Sequence, residues 1–198
     1  MSRPDAKRRG QRTRDRRGEA TVVVGFTGYS GVGKTSLLVR MIDALRRRGY
    51  AVGAVKHSSH GFLADRPGKD SFRLYESGAA AVALVSREQI ATFTRCDPAG
   101  QTEVSLAAAM ETLPRGLDVV LAEGFSWEPI PRVVLYPEEK EPDPDRPSQG
   151  EVIARVPVPA ALPGSAPVFR PEQIEELLRK IEERVPGIRT QNGEEIHP

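Results

Sequence analysis

The chain has 198 residues, the length of one domain with short appendages. No apolar run approaches the roughly 18 residues of a membrane-spanning helix, and the single cysteine, Cys96, excludes an internal disulfide and a Cys-x-x-Cys redox or zinc pair. The net charge of +2 conceals an uneven distribution: residues 1–20 hold eight basic and three acidic side chains, so the rest is slightly acidic and gives no reason to expect nucleic acid as a partner.

The opening arm, residues 1–20, lacks any apolar stretch, the pattern of neither a secretory leader nor a transit peptide, so a cytoplasmic location is expected. Its charge predicts a disordered basic tail. A strand doubly covered by protein is predicted from Thr21, in TVVVGFTG. From Lys34 the apolar residues Leu37, Leu38, Met41, Ile42 and Leu45 recur at helical spacing, and Gly49 provides the stop. Tyr50–Lys56 reads as the next strand, so the first 35 residues after the arm form a βαβ unit of a parallel sheet, with this second strand expected beside the first.

A long polar loop follows, and loops of that length commonly carry function. Asp70 is placed to cap a short helix over Ser71–Ser77. Strands are expected at Ala80–Val85 and Ile90–Phe93, a helix over Thr102–Leu113, and strands at Leu117–Ala122 and Arg132–Tyr136. Residues 137–150 are proline-rich and acidic, a mobile loop by composition. Val152–Val156 and Val168–Phe169 read as short strands. The last helix starts at Pro171, with Ile174, Leu177, Leu178 and Ile181 on its apolar face and Glu175–Arg179 and Glu176–Lys180 as ion pairs. The domain therefore runs over 21–185, followed by a flexible tail at 186–198.

The strongest chemical signal is Gly28-Tyr-Ser-Gly-Val-Gly-Lys34-Thr35, which fits G-x-x-x-x-G-K-[ST] between a buried strand and an amphipathic helix. Glycines let the backbone wrap a phosphate, and successive N–H groups of Ser30, Gly31, Val32 and Gly33 with the helix N-terminus supply an anion site. Lys34 neutralises the β and γ oxygens, and the Thr35 hydroxyl binds Mg²⁺. The expected fold is α/β, a P-loop NTPase-like, predominantly parallel sheet flanked by helices, with additional β segments.

Glu123, at the end of the strand Leu117–Ala122, would lie near the phosphates and could hold Mg²⁺ directly or through water, or be a surface carboxylate. The loop after the second strand offers Lys56, His57, His60, Asp65, Lys69 and Asp70, a source of cations for phosphates and of a carboxylate for Mg²⁺ or an attacking water. His57 and His60 are also spaced to share a transition metal, with no third ligand in view, and ordinary hydrogen bonding accounts for them as well. Asp70 can cap its helix, bind the metal, or both. The sole asparagine is Asn192, so an Asn-Lys-x-Asp guanine-reading motif is absent, and a GTP-binding site would need another device to read the base.

GYSGVGKTSLL, then VGAVKHSSHGFLADRPGKDSFRLYESGA, then LDVVLAEGFSWEPIPRVVLY together resemble the MobB family of molybdopterin-guanine dinucleotide biosynthesis adaptor proteins over about residues 21–136. The resemblance implies a dimeric GTP-binding protein with weak GTPase activity, using GTP and Mg²⁺, that assists the molybdopterin guanylyltransferase and meets molybdenum cofactor intermediates. It implies Gly28, Gly31, Gly33, Lys34, Thr35 and Ser36 at phosphate and Mg²⁺, with Lys34, Asp70 and Glu123 as the catalytic set. His57, His60, Asp65, Lys69, Asp70 and Glu123 would complete the site. Two features depart from the family: Ser126 stands where a lysine is frequent, and Ala154-Arg-Val-Pro-Val158 lacks the aspartate of an Ala-x-x-x-Asp segment.

Two other functions fit the same residues. One is an ATP-dependent small-molecule kinase or synthetase with the His57–Asp70 loop as acceptor site. The other is a metallochaperone-type or RNA-associated binding module that uses the histidines or the basic arm.

Overall fold

The computed structural model describes residues 20–63, 65–96, 104–140, 149–161 and 165–185. The basic arm, the acidic centre of the 137–150 loop and the C-terminal tail, for which disorder or mobility is expected, lie outside these residues.

Five strands form one parallel sheet: β1 (Val22–Gly28), β2 (Val52–Lys56), β5 (Val119–Glu123), β6 (Arg132–Pro137) and β7 (Val152–Val158), in the order β2-β5-β1-β6-β7. The second strand is thus not beside the first, contrary to the sequence expectation, because β5 lies between them. All five residues of β5 are buried, so it needs a neighbour at each edge and cover on each face, whereas β2 carries Gly53, Ala54 and the exposed Lys56 and suits the rim.

Helices α1 (Lys34–Arg47) and α4 (Pro171–Glu182) cover one face and build the larger core with Val24, Phe26, Leu121, Val133 and Leu135 from the sheet. Leu37, Leu38, Met41 and Leu45 are the buried stripe of α1, as their spacing predicts, and Gly49 at φ +88° ends the helix. On the opposite face, the short α3 (Leu106–Glu111) places Leu106 against Ala122 and Phe125. This helix starts later than expected because Ser105 is its cap, its hydroxyl accepting from the Ala108 N–H at 3.2 Å.

The helix α2 (Asp70–Glu76) precedes β3 (Ala81–Val85) and β4 (Ile90–Thr94), which pair antiparallel in a separate two-stranded sheet. Lys69, not Asp70, is the cap residue of α2. Its extended backbone precedes the first helical residue, Asp70, whose carboxylate sits in the first turn instead.

Two further expectations are corrected. Val168–Phe169 is not a strand: the proline before it cannot donate to a ladder, and the segment lies across α1, with Phe169 buried and its carbonyl accepting from Arg40 at 3.5 Å. Glu175 pairs with Arg48 at 2.5 Å rather than with Arg179, and Arg48 also holds Glu182 at 2.6 Å, so α1 and α4 are clasped at their ends. Glu176–Lys180 forms as expected at 3.7 Å.

Core packing should outweigh that clasp. Leu45→Ala is expected to cost about 2–5 kcal/mol and lower Tm by roughly 4–20 °C. Arg48→Ala, whose side chain is one-third exposed, should cost about 1 kcal/mol or less per pair, an effect that shrinks in high salt. Thermal unfolding of both variants at two salt concentrations measures the contrast.

Candidate functional site

Parallel registry sets Phe26 beside Glu123 and Glu123 beside Lys56, so three neighbouring strands deliver their ends to one edge of the sheet. There the turn between β1 and α1 opens a cleft of about 770 Å³, within the range of pockets that hold a whole small-molecule ligand. The turn depends on its glycines. Gly28 has φ +147°, and a Cβ there would collide with the Leu135 carbonyl oxygen; Gly33 has φ +100°, and a Cβ would stand 2.6 Å from the Pro167 ring. Gly31, at φ +74°, has nothing within 4 Å of a Cβ position, which leaves its backbone open to a ligand.

The Lys34 ammonium donates to the Tyr29 carbonyl at 2.7 Å and the Gly28 carbonyl at 3.3 Å, so it is folded back over the loop. The Thr35 hydroxyl donates to Glu123 Oε2 at 2.7 Å. Lys56 Nζ donates to Thr35 Oγ1 at 3.2 Å and pairs with Glu123 Oε1 at 3.1 Å, so the ammonium bridges the hydroxyl and the carboxylate. Glu123 is buried, and both of its carboxylate oxygens have a polar partner, as burial of a polar group requires. One hydroxyl and one carboxylate are hard oxygen donors of the kind Mg²⁺ selects, and they sit beside a loop able to bind phosphate.

The remaining expected residues divide into two groups. Gly28, Ser30, Gly31, Gly33, Lys34, Thr35, Ser36, Lys56, His57, His60 and Glu123 all line the cleft. Val32 is in the turn, but its side chain is buried in the larger core. His57 is packed edge-on against Phe125 and Trp127, with ring centroids 5.6 and 4.9 Å away, and its backbone N–H donates to the Glu123 carbonyl at 3.0 Å. Among the described residues no three His, Cys, Asp or Glu side chains gather as a metal site.

Asp65, Lys69 and Asp70 are not among the residues lining the cleft. The Asp70 side chain is 96% exposed and 3.9 Å from Arg73. Asp65 instead organises its own loop: its carboxylate accepts from the Ser71 hydroxyl and from the Arg66 N–H at 2.6 Å. These hydrogen bonds, the Ser71 hydroxyl first, hold the Asp65 carboxyl below the ordinary aspartate value.

Sequence reasoning missed Ser58, Ser59, Phe125, Trp127 and the segment 165–167, which also line the cleft. The first four follow His57 or Glu123 within four positions and could have been found by extending each motif that far. Nothing local marks 165–167, which reaches the loop only through the fold. Phe125 adopts φ +53°, an uncommon backbone for a bulky residue, directly after Gly124 at φ +91°. That double left-handed step turns the chain off the strand and drives the Phe125 ring inward.

Arg132 supports the same turn from beneath. Fully buried, it donates to the Ser126 carbonyl at 2.9 Å and to the Glu128 carbonyl, while its Nε has no partner among the described residues, and burial pushes its guanidinium below the ordinary arginine value.

The sequence model of the family described as MobB, "Molybdopterin guanine dinucleotide synthesis protein B", matches residues 23–157. The chain is 42% identical over 118 residues to the molybdopterin-guanine dinucleotide biosynthesis adapter protein of Haemophilus influenzae, covering 59% of this chain and 64% of that protein. It is 38% identical over 115 residues to the protein of that description from Escherichia coli, covering 58% and 65%. The match thus spans just under two thirds of the length of these curated relatives. A crystal structure of molybdopterin-guanine biosynthesis protein B superimposes with a TM-score of 0.59 at 28% identity, covering 81% of this chain and 96% of that one. A MobB protein homolog from Bacillus stearothermophilus gives 0.58 at 26%, covering 82% and 99%.

The Asp65 contacts generate a pH prediction. A depressed folded pKa contributes stability that is present above the unfolded value near 3.9 and is lost as pH falls through the lower folded value. Ser71→Ala should move the Asp65 titration up toward the ordinary aspartate value, read by NMR of its carboxyl carbon. An unmoved titration would remove the hydroxyl as the main cause.

Proposed function

The chain belongs to the MobB family, and from that premise we propose that it is a GTP-binding accessory protein with weak, Mg²⁺-dependent GTPase activity. Its role is to assist the guanylyltransferase that forms molybdopterin guanine dinucleotide, in contact with molybdenum cofactor intermediates in the cytoplasm. The observation that carries this reading is the convergence of the phosphate-loop residues Lys34 and Thr35 with Glu123 in one cleft. No helix among the described residues is long and apolar enough to cross a membrane.

In this reading the N–H groups of residues 30–35 wrap the phosphates, and the Lys34 ammonium exchanges its loop carbonyls for β and γ oxygens. Thr35 and Glu123 would hold Mg²⁺, which supplies charge neutralisation at the phosphates. Lys56, which bridges those two side chains in this structure, would be released toward the γ end, where its charge opposes the charge that develops during transfer. His57 and His60 line the same cleft. Asp65, Lys69 and Asp70 are left out of the binding set because they lie outside the cleft lining. Within the set the cations are Lys34 and Lys56 and there is no arginine, so hydrolysis should be slow, on the order of 10⁻⁴ to 10⁻² per second, as in sites without a stabilising arginine in place.

A second copy of the chain is the partner best supported by the small sheet. A lone two-stranded sheet is marginal in water, and β3–β4 leaves Val85 and Ile90 more than 70% exposed, with Leu74 of α2 57% exposed nearby in the chain. A homodimer would cover them.

Calorimetric titration with non-hydrolysable GTP tests the reading. Lys34→Ala should abolish tight binding, whereas unchanged affinity would defeat the phosphate-loop assignment. Glu123→Gln should retain nucleotide binding but lose most of the affinity gained from Mg²⁺, about tenfold or more; an undiminished Mg²⁺ dependence would remove Glu123 from the metal. A preference for ATP would favour the kinase-like alternative.

A further inference from the structure

The phosphate loop has two flanks, and only one of them carries Lys56 and Glu123. On the other, β6 and β7 continue the sheet. Ligands of open parallel sheets lie across the carboxyl ends of the strands on both sides of the reversal in strand order. With the triphosphate end fixed by Lys34, Thr35 and Glu123, the nucleoside must extend the opposite way, over Ser30–Val32 toward the ends of β6 and β7. A second cavity of about 190 Å³ lies there, shared by Gly31 and Val32 of the loop, Pro137 at the end of β6, Glu139 after it, and Pro159 after β7. It is smaller than the roughly 300–1,000 Å³ of pockets that hold whole ligands, so it is sized for part of one.

We propose that this cavity receives the base of the nucleotide and that Glu139 selects guanine there, an inference that rests on the GTP-binding reading above. The walls are proline rings and alanine methyls, flat apolar surfaces suited to a planar ring, with Ser30 at the loop and a single charged side chain, Glu139. Its neighbours in the turn are occupied elsewhere: Glu138 faces Arg170 at 3.7 Å, and Lys140 Nζ lies 5.6 Å from the centre of the Tyr29 ring. The turn itself is fixed at both ends, the Lys140 N–H donating to the Pro137 carbonyl and the Glu138 N–H to the Val158 carbonyl, each at 2.9 Å.

Guanine presents N1–H and the 2-amino group as two parallel donors, and a carboxylate has two oxygens to accept them. Adenine presents a bare N1 lone pair at the same edge, which a carboxylate repels. A site built to hydrogen-bond one ring therefore rejects the other without needing extra volume. Because the only asparagine is Asn192, outside the domain, this carboxylate would replace the Asn-Lys-x-Asp device.

The test is calorimetric titration of the full chain, with Mg²⁺, against non-hydrolysable GTP, ATP and xanthosine triphosphate analogues. The wild type should prefer GTP to ATP by tenfold or more. Glu139→Gln should lower GTP affinity at least tenfold, leave ATP within about twofold, and raise xanthosine affinity, because its amide can accept from N1–H while donating to the 2-oxo group. Glu139→Ala should lose the preference without the xanthosine gain, and Glu138→Gln should keep the wild-type pattern. A wild type that prefers GTP while Glu139→Gln retains that preference would overturn the role of Glu139 and leave the GTP-binding reading standing. A wild type with no preference for GTP would overturn both.

Discussion

The site depends on β5 lying between β1 and β2. With all three strands parallel and in register, Phe26, Glu123 and Lys56 stand abreast, and each chain leaves the sheet at the same edge. The order has an energetic cause: β5 is apolar along its full length apart from Glu123, so an interior place, paired on both edges, gains more apolar burial than a place at the rim. Glu123 is then carried into a buried position by the strand that precedes it. A carboxylate so placed requires counter-charge, and Lys56, one strand over, and the Thr35 hydroxyl supply it.

The same edge concentrates local conflicts with ordinary folding preferences. Gly28 and Gly33 take backbone angles that L side chains avoid, Phe125 enters the left-handed region with a large ring, and Arg132 buries a guanidinium whose acceptors among the described residues are carbonyls. Each has a cost, and the surrounding packing over-determines each of them. Gly28 is pressed against Leu135 and Gly33 against Pro167, so the loop is seated on β6 and on the segment leading to α4. Arg132 ties the turn after Glu123 to β6. The cleft is therefore braced by both flanks of the sheet before any ligand arrives, the preorganisation that the proposed binding of a triphosphate would draw on.

What was legible in the sequence follows from the range of the forces involved. The α1 stripe, the apolar β5 and the amphipathic α4 were read because periodicity is local, and the phosphate loop was read because its glycines and Lys34-Thr35 are contiguous. Glu123 was found because a strand-end carboxylate has a fixed place in a parallel sheet. Strand order was not legible: β1 and β2 are consecutive in the chain, and only the competition for interior places in the sheet puts β5 between them. Arg48 likewise chose Glu175 and Glu182 over a helical neighbour because α1 and α4 meet in three dimensions. The segment 165–167 reaches the loop from the far end of the domain, a contact no local pattern encodes. Asp65 was read as a site residue from its motif, but its hydrogen bonds are to its own loop.

The division of the sheet also separates two tasks that a nucleotide-binding protein must perform with one loop. Charge has to accumulate where phosphates lie, and the β5–β2 flank provides it with a buried carboxylate, a hydroxyl and a lysine. Selectivity needs the opposite environment, an apolar slot with few polar groups, because only there does an unmatched donor or acceptor on the wrong base lose its water without compensation. The β6–β7 flank has that composition, with prolines ending or following both strands and one carboxylate in the slot. The loop between the flanks, open at Gly31 and pinned at Gly28 and Gly33, can join the two environments without mixing them. The strand order that buries β5 thus also places Lys56 and Glu139 in different cavities, so the carboxylate proposed to read the base is not in the cleft that holds the lysine.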